Sequence, residues 1–138
     1  MERIVLDTNI LLLSISQKSK HHIVFKSLMD GGFVLCATTE ILNEYAEIIE
    51  KHLGGQTSEA VLETLMALPN IELVHTYFRF RLLKDEDDNK FVDCAVAANA
   101  KYLVSEDRDF KILNEINFPK IDVLRLEVFK QKLLLKNL

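Results

Sequence analysis

The feature of the sequence that most restricts the fold is a series of short apolar runs separated by longer helical patterns. Each run is continuously apolar rather than alternating with polar residues, as expected for strands that helices cover on both faces. The runs are Arg3 to Asp7, Phe33 to Thr38, Tyr102 to Ser105, Ile121 to Leu126 and, more weakly, Ile71 to His75. Because strands that alternate with helices form parallel sheets, the expected fold class is α/β, a three-layer α/β/α sandwich with a central parallel sheet of about five strands.

The length and composition predict one ordered domain. The chain has 138 residues, enough for one core and too few for two ordinary domains. Hydrophobic residues make up 49% of the chain, with only four glycines and two prolines, so no linker or disordered stretch is indicated. We therefore expect a single domain over residues 1–138.

Charge and cysteine usage restrict location and partners. The apolar runs are too short to cross a membrane, and Asp7 interrupts the first run before it could serve as a signal peptide. Cys36 and Cys94 lie within apolar stretches, without the C-x-x-C spacing of a metal site, and are expected to be reduced core residues. These features predict a cytoplasmic protein without membrane contact. The net charge of -4 argues against binding to nucleic acid through bulk positive charge, although a local basic patch or a bound cation can still attract phosphates.

Two aspartates follow predicted strands. Asp7 ends the first run, and Asp107, in "SEDRDF", comes just past the run that ends at Ser105. Ligands of open parallel sheets bind outside the carboxyl ends of the strands, so both positions are candidate site residues. Each also has a structural alternative. Asp7 with the following Thr-Asn can cap a helix, and turn or cap chemistry also explains aspartates in "SEDRDF", where Asp109 is the better cap candidate.

Two more carboxylates lie on predicted helices. Asp93 is surrounded by apolar residues in "KFVDCAVAA", which predicts an inward-facing charge that is paired, protonated or bound to a metal. A salt bridge to Lys90 or to a distant arginine is the alternative. Glu44 lies at the edge of the apolar face of "TTEILNEYAEIIEK", where a role in a site is allowed but not required. The acidic stretch Asp85 to Asp87 precedes a helix and is explained by the helix dipole.

A cluster of Asp7, Glu44, Asp93 and Asp107 would need a compensating charge. Two carboxylates about 4 Å apart repel by roughly 4 kcal/mol at an effective dielectric of about 20. The sequence places no basic residue among the four. Because Mg²⁺ and Mn²⁺ prefer oxygen ligands and retain water molecules, the four acids predict a divalent metal site.

The ordered segments resemble a known family. "IVLDTNILL", the glutamate in "TTEILNEY" and "DEDDNKFVDCAVAANAKYLVSEDRDF" together resemble a PIN-domain nuclease, and more narrowly the VapC-like toxins of bacterial toxin-antitoxin systems. The resemblance covers essentially the whole chain. It implies an α/β/α fold and Mg²⁺- or Mn²⁺-dependent hydrolysis of RNA phosphodiesters. It also implies an antitoxin protein as a partner and a homodimer.

The resemblance also implies roles for individual residues. Asp7 and Asp93 match the principal metal-binding aspartates of the family, Glu44 its helix glutamate and Asp107 its acidic position after the fourth strand. Supporting polar positions are Asn9, Ser105 and Asp109. Glu106 departs from the pattern, because relatives often have glycine there, and a side chain could crowd the mouth of the site or add negative charge.

Three other functions compete with a nuclease. A phosphatase with an aspartyl nucleophile usually has a second aspartate where this chain has Asn9. A response-regulator receiver domain is phosphorylated after its third strand, which does not match Asp7. A PIN-like scaffold that binds RNA or protein without activity is disfavoured by the four intact acids. A general RNA-processing nuclease without an antitoxin also remains open.

Overall fold

A five-stranded parallel sheet forms the centre of the molecule. The computed structural model describes residues 1–135 of the chain. The spatial order of the strands is β3-β2-β1-β4-β5, and all neighbouring strands are parallel. The strands are β1 (Arg3–Leu6), β2 (Val34–Ala37), β3 (Ile71–Leu73), β4 (Tyr102–Val104) and β5 (Val123–Leu124). All five predicted runs therefore contain a strand, and the parallel α/β prediction is confirmed.

In residues 1–135, six α-helices and two 3-10 helices surround the sheet. The α-helices are α1 (Thr8–Ser14), α2 (His22–Met29), α3 (Thr39–Leu53), α4 (Gly55–Ala67), α5 (Asn89–Ala98) and α6 (Leu126–Leu135), within the described residues. The 3-10 helices are Glu86–Asp88 and Arg108–Glu115. Helix α5 packs on β1, β2 and β4, whereas α1 packs against α2 and α3. None of the helices found in residues 1–135 is both long and apolar enough to cross a bilayer.

The central strand β1 is buried because both of its faces are covered. Ile4, Val5 and Leu6 are completely inaccessible to solvent, which explains why this segment is continuously apolar. The edge strand β3 is more accessible, with Leu73 partly exposed, in agreement with its weaker sequence signal. Burial of apolar side chains at about 25 cal/mol per Å² therefore stabilises the centre of the sheet more than its edge.

Helix α3 carries a polar side chain to the end of β1. Thr38 caps the helix by accepting a hydrogen bond from the Ile41 amide, at 3.2 Å. The apolar face predicted for this helix is buried, and the hydroxyl of the buried Tyr45 donates to the Leu6 carbonyl at 2.6 Å. This bond connects α3 to the residue that immediately precedes Asp7.

The expected dimer or antitoxin surfaces have mixed burial. In the run Ile10 to Ile15, Ile10 and Leu11 belong to the core, whereas Leu13 is partly exposed. The C-terminal segment "LLLKNL" begins at Leu133, and its residues 136–138 lie outside the described part of the chain. Both cysteines are buried and free, as the sequence predicts.

Candidate metal and phosphodiester site

The carboxylate of Asp7 lies at the carboxyl edge of the sheet, beside the end of β4. Pairing of Leu6 with Val104 brings Asp7 next to Ser105 on the neighbouring strand. The buried Ser105 hydroxyl donates to Asp7 Oδ2 at 2.7 Å, and the Asp107 amide donates to the same Ser105 oxygen at 3.0 Å. Asp7 is the residue before α1, but its side chain makes no capping hydrogen bond to that helix. Helix capping therefore does not explain this carboxylate.

The carboxylate of Glu44 is neutralised by a lysine. Lys90 Nζ lies 2.7 Å from Glu44 Oε1, and the Thr8 hydroxyl donates to Glu44 Oε2. The sequence pattern places no basic residue among the acids, and that expectation is wrong. Lys90 occupies the second position of α5, from which its long side chain reaches across to α3. One acid of the group is thus already paired.

Three aspartates form a compact group at the same edge. Single carboxylate oxygens of Asp88, Asp107 and Asp109 all lie within 4.8 Å of one another. No other group of this kind, built from three or more His, Cys, Asp or Glu side chains, occurs within residues 1–135. Asp88 is not among the site residues predicted from the sequence, although it is the last residue of the acidic stretch "DEDD". The signal that could have found it is its position at the start of α5, which runs from the carboxyl edge of the sheet toward β4.

Asp107 takes the capping role that was expected for Asp109. Asp107 precedes the 3-10 helix Arg108–Glu115 and its Oδ1 accepts the Asp109 amide at 2.9 Å. Asp107 is therefore the cap, and the expectation that Asp109 is the cap is wrong. Because a carboxylate has two oxygens and several acceptor sites, capping leaves Asp107 free to accept further ligands.

The pKa values of two acids show that the group is electrostatically crowded. Burial raises the pKa of Asp7, the hydrogen bond from Ser105 opposes the shift, and the charges of Glu44 and Asp107 add to it. The pKa of Asp88 is raised to about 6, first by burial and then by nearby acids that include Asp107 and Asp7. The charges of Glu44 and Asp107 thus act on Asp7, and those of Asp107 and Asp7 act on Asp88, which favours occupation by a cation.

Asp93 is not part of the compact group of Asp88, Asp107 and Asp109. Its buried Oδ1 accepts the Phe80 amide at 3.1 Å, and burial raises its pKa. Asp93 follows Asp88 by five residues and faces about 140° around the helix from it, and the expectation that Asp93 joins Asp7 stays a prediction. Asp93 instead shares a face with Asn89, four residues earlier. Lys90 pairs with Glu44, so the alternative of a Lys90–Asp93 salt bridge is not formed.

The remaining predicted site residues have separate environments. Asn9 is exposed on α1, and no hydrogen bond of its side chain occurs in the described structure. Glu106 points toward β5 and α6, where it accepts the Leu126 amide at 2.9 Å and pairs with Arg125 at 3.3 Å. Burial alone would raise the pKa of Glu106, but these partners lower it. Its side chain is therefore occupied by structural contacts.

Comparisons with known proteins agree with this architecture. A crystal structure of VapBC2 from Rickettsia felis, bound to promoter DNA, is similar with a TM-score of 0.60 and 17% identity, over 89% of this chain and 98% of that one. A crystal structure of DNA-bound VapBC from Salmonella typhimurium has a TM-score of 0.57 and 18% sequence identity, over 91% of this chain and 99% of that one. The structure of the PIN domain of human SMG5 has a TM-score of 0.55 and 14% sequence identity, over 94% of this chain and 98% of that one. At these identities the similarity shows the fold alone.

Sequence comparison identifies the family. No curated protein sequence matches the chain. The family model described as "PIN domain" matches residues 3–109, which include β1, the acids at the carboxyl edge and β4. Because this match covers well over half of the 138 residues, the chain belongs to the PIN-domain family.

Proposed function

We propose that the protein is a divalent-metal-dependent endoribonuclease that hydrolyses RNA phosphodiester bonds. The observation that carries the proposal is the convergence of Asp7, Glu44, Asp88 and Asp107 at the carboxyl edge of a parallel sheet. Membership of the PIN-domain family, which is generally a family of nucleases, supports hydrolysis. RNA as the substrate and the need for a metal are part of the proposal.

The side chains present fit a hard divalent cation. All candidate donors are carboxylate oxygens, which Mg²⁺ and Mn²⁺ prefer, and no His or Cys joins the group in the described residues. We propose that Asp7, Asp88 and Asp107 hold the ion, with Glu44 and Asp109 beside it. Asp93, included among the ligands by the family resemblance, is not part of this proposed set. A bound cation would supply a more acidic water and neutralise charge on the phosphate.

Other side chains of the chain prepare the site. Ser105 fixes Asp7 by donating to Oδ2, which leaves the second oxygen of this carboxylate available. Lys90 and Thr8 hold the Glu44 carboxylate in place. Because the raised pKa values of Asp7 and Asp88 favour protons at low pH, protons compete with a cation for the same oxygens. The site should therefore bind metal more weakly as pH falls.

The direct test is cleavage of a mixed RNA pool by purified protein with Mn²⁺ or Mg²⁺. EDTA, Asp7→Asn and Asp107→Asn should each abolish cleavage. Cleavage that survives both substitutions would originate from a contaminating nuclease and would contradict the proposal. Absence of cleavage by the wild-type protein under all metal conditions would favour a PIN-like binding module without activity.

We further propose that the enzyme is the toxin of a toxin-antitoxin pair, acts in the cytoplasm and forms a homodimer. The similarity in fold to the VapBC structures supports a toxin, and the buried free cysteines suit a reducing compartment. Expression of the chain should arrest bacterial growth, and coexpression of a small protein encoded beside it should restore growth. Growth arrest that is insensitive to the neighbouring gene would favour a general RNA-processing nuclease. Light scattering would test the dimer.

A further inference from the structure

The segment Thr76–Arg81 exposes aromatic rings beside the candidate site. Its sequence, "TYFRFR", leaves Tyr77 87% and Phe78 75% exposed. Two adjacent rings exposed to this extent gain no free energy from burial and contribute nothing to the core. Nothing in the packing of residues 1–135 accounts for them, so a role in binding is the natural explanation.

Three anchors fix the backbone of this segment. The Val74 amide donates to the Ala37 carbonyl at 2.8 Å, which ties the start of the segment to the end of β2. Asp93 accepts the Phe80 amide at 3.1 Å, and Asn89 binds both backbone groups of Leu83, at 2.9 and 3.0 Å. Because folding already orders the backbone of this segment, a ligand that binds here loses little further conformational entropy of the protein.

The charge of the segment is positive, although the protein is acidic overall. From Val74 to Lys84 the chain carries Arg79, Arg81 and Lys84 and no acidic residue, against a net charge of -4. None of these three side chains forms an ion pair with any residue that the structure describes. Arg81 also has a positive φ of 51°, an uncommon conformation for a non-glycine residue that is more frequent at binding sites.

The segment lies on the same edge of the sheet as the acids. It follows β3, whose carboxyl end is at this edge, and it forms one wall of a cavity of about 430 Å³. Lys90 forms part of another wall of the cavity and pairs with Glu44. The cavity therefore borders the Lys90–Glu44 pair, and its lining also includes the acids Glu40, Glu86, Asp87 and Asp93.

We propose that Tyr77 and Phe78 stack on the bases of single-stranded RNA while Arg79 and Arg81 contact its phosphates. The inference rests on the proposed nuclease function and identifies the surface that holds the strand. Exposed aromatic rings that stand beside arginines offer stacking surfaces for bases and positive charge for phosphates, the two features that single-strand binding surfaces combine. A partner protein would be expected to need a more continuous apolar surface. Duplex RNA hides its bases in the stack, so this surface should prefer single strands.

Binding of a short mixed-sequence RNA, measured by fluorescence anisotropy in EDTA, tests the inference without cleavage. The double variant Tyr77→Ala/Phe78→Ala should bind at least about tenfold more weakly, since each of the two lost stacking rings contributes about fivefold or more. Phe118→Ala is the matched control, because Phe118 is 85% exposed but precedes β5, away from the carboxyl edge. Tyr77→Trp should retain binding, and blunt duplex RNA should bind more weakly than the single strand.

A second measurement separates this inference from the nuclease proposal. In Mn²⁺, the double variant should raise the KM for single-stranded RNA and leave kcat within about twofold, because the acids are unchanged. Affinity in EDTA equal to that of Phe118→Ala would overturn the inference, and would instead favour a protein partner for the segment. If the wild type binds RNA through Tyr77 and Phe78 but never cleaves it, the surface is supported and the nuclease proposal fails.

Discussion

Lys90 Nζ lies 2.7 Å from Glu44 Oε1, so a residue of α5 neutralises an acid carried by α3 at the carboxyl edge of the sheet. The two side chains are only 12% and 28% exposed, and the Thr8 hydroxyl also donates to Glu44. Pairing therefore reduces the repulsion between Glu44 and Asp7 when no cation is present.

Replacement of Lys90 by methionine should destabilise the metal-free protein. The change leaves Glu44 partly buried and unpaired, which should lower the free energy of unfolding by about 1–2 kcal/mol. The matched control is Lys101→Met, whose partner Glu2 is 3.4 Å away in a more exposed pair, and it should cost less than about 0.5 kcal/mol. Urea unfolding in EDTA measures the free energy of unfolding of both variants. Equal effects of the two substitutions would contradict the assigned importance of the Lys90–Glu44 pair.

Replacement of Asp88 by asparagine should stabilise the metal-free protein at neutral pH. The pKa of Asp88 is raised from 3.8 to about 6 in the folded state. The folded protein is therefore most stable with respect to this group below pH 3.8, and it loses that stability as the pH rises through about 6. Because Asp88 is partly exposed, we expect Asp88→Asn to recover about 1 kcal/mol at pH 7.

The gain from Asp88→Asn should disappear at pH 3.5, where the wild-type carboxyl is also neutral. Thermal unfolding in EDTA at the two pH values, with Glu63→Gln on the exposed face of α4 as the control, measures the difference. With Mg²⁺ present, the wild type should gain stability and Asp88→Asn should gain much less. Equal stabilisation by Mg²⁺ would contradict the proposed ligand role of Asp88.

Replacement of Ser105 by alanine should shift the pH dependence of cleavage. The Ser105 hydroxyl donates to Asp7 and lowers the pKa that burial raises, so its loss should raise the pKa of Asp7 further. The acidic limb of the Mn²⁺-dependent cleavage profile should then move to higher pH. Ser105→Thr retains a hydroxyl and should remain close to the wild type. An unchanged acidic limb in Ser105→Ala would show that Asp7 does not set it.

The sheet was predictable because its strands have few alternatives. Runs such as "IVL" in β1 and "YLV" in β4 are apolar throughout, and only a strand covered on both faces buries every side chain of so short a segment. Their parallel arrangement then places Asp7 and Ser105 on adjacent strand ends, where they form a hydrogen bond. The contacts within the site that follow directly from strand order were therefore accessible from the sequence.

Contacts that depend on where a helix starts were not predictable in the same way. Asp88 and Asp93 both lie in "DDNKFVD", and the apolar surroundings of Asp93 indicate burial correctly. The buried Asp93 carboxylate accepts the Phe80 amide, and residue spacing alone does not reveal which of the two aspartates joins the compact group that contains Asp107. The pairing of Lys90 with Glu44 depends on the path of a long side chain between two helices, which residue spacing does not encode.

Asp88→Asn and Asp93→Asn, assayed together for Mn²⁺-dependent RNA cleavage, test the proposed site most directly. Each substitution removes one negative charge from neighbouring turns of the same segment, and asparagine at position 93 can still accept the Phe80 amide. Asp88→Asn should lower the cleavage rate by about a hundredfold or more, whereas Asp93→Asn should remain within about threefold of the wild type. The opposite result, with cleavage lost in Asp93→Asn and kept in Asp88→Asn, would contradict the proposed metal site.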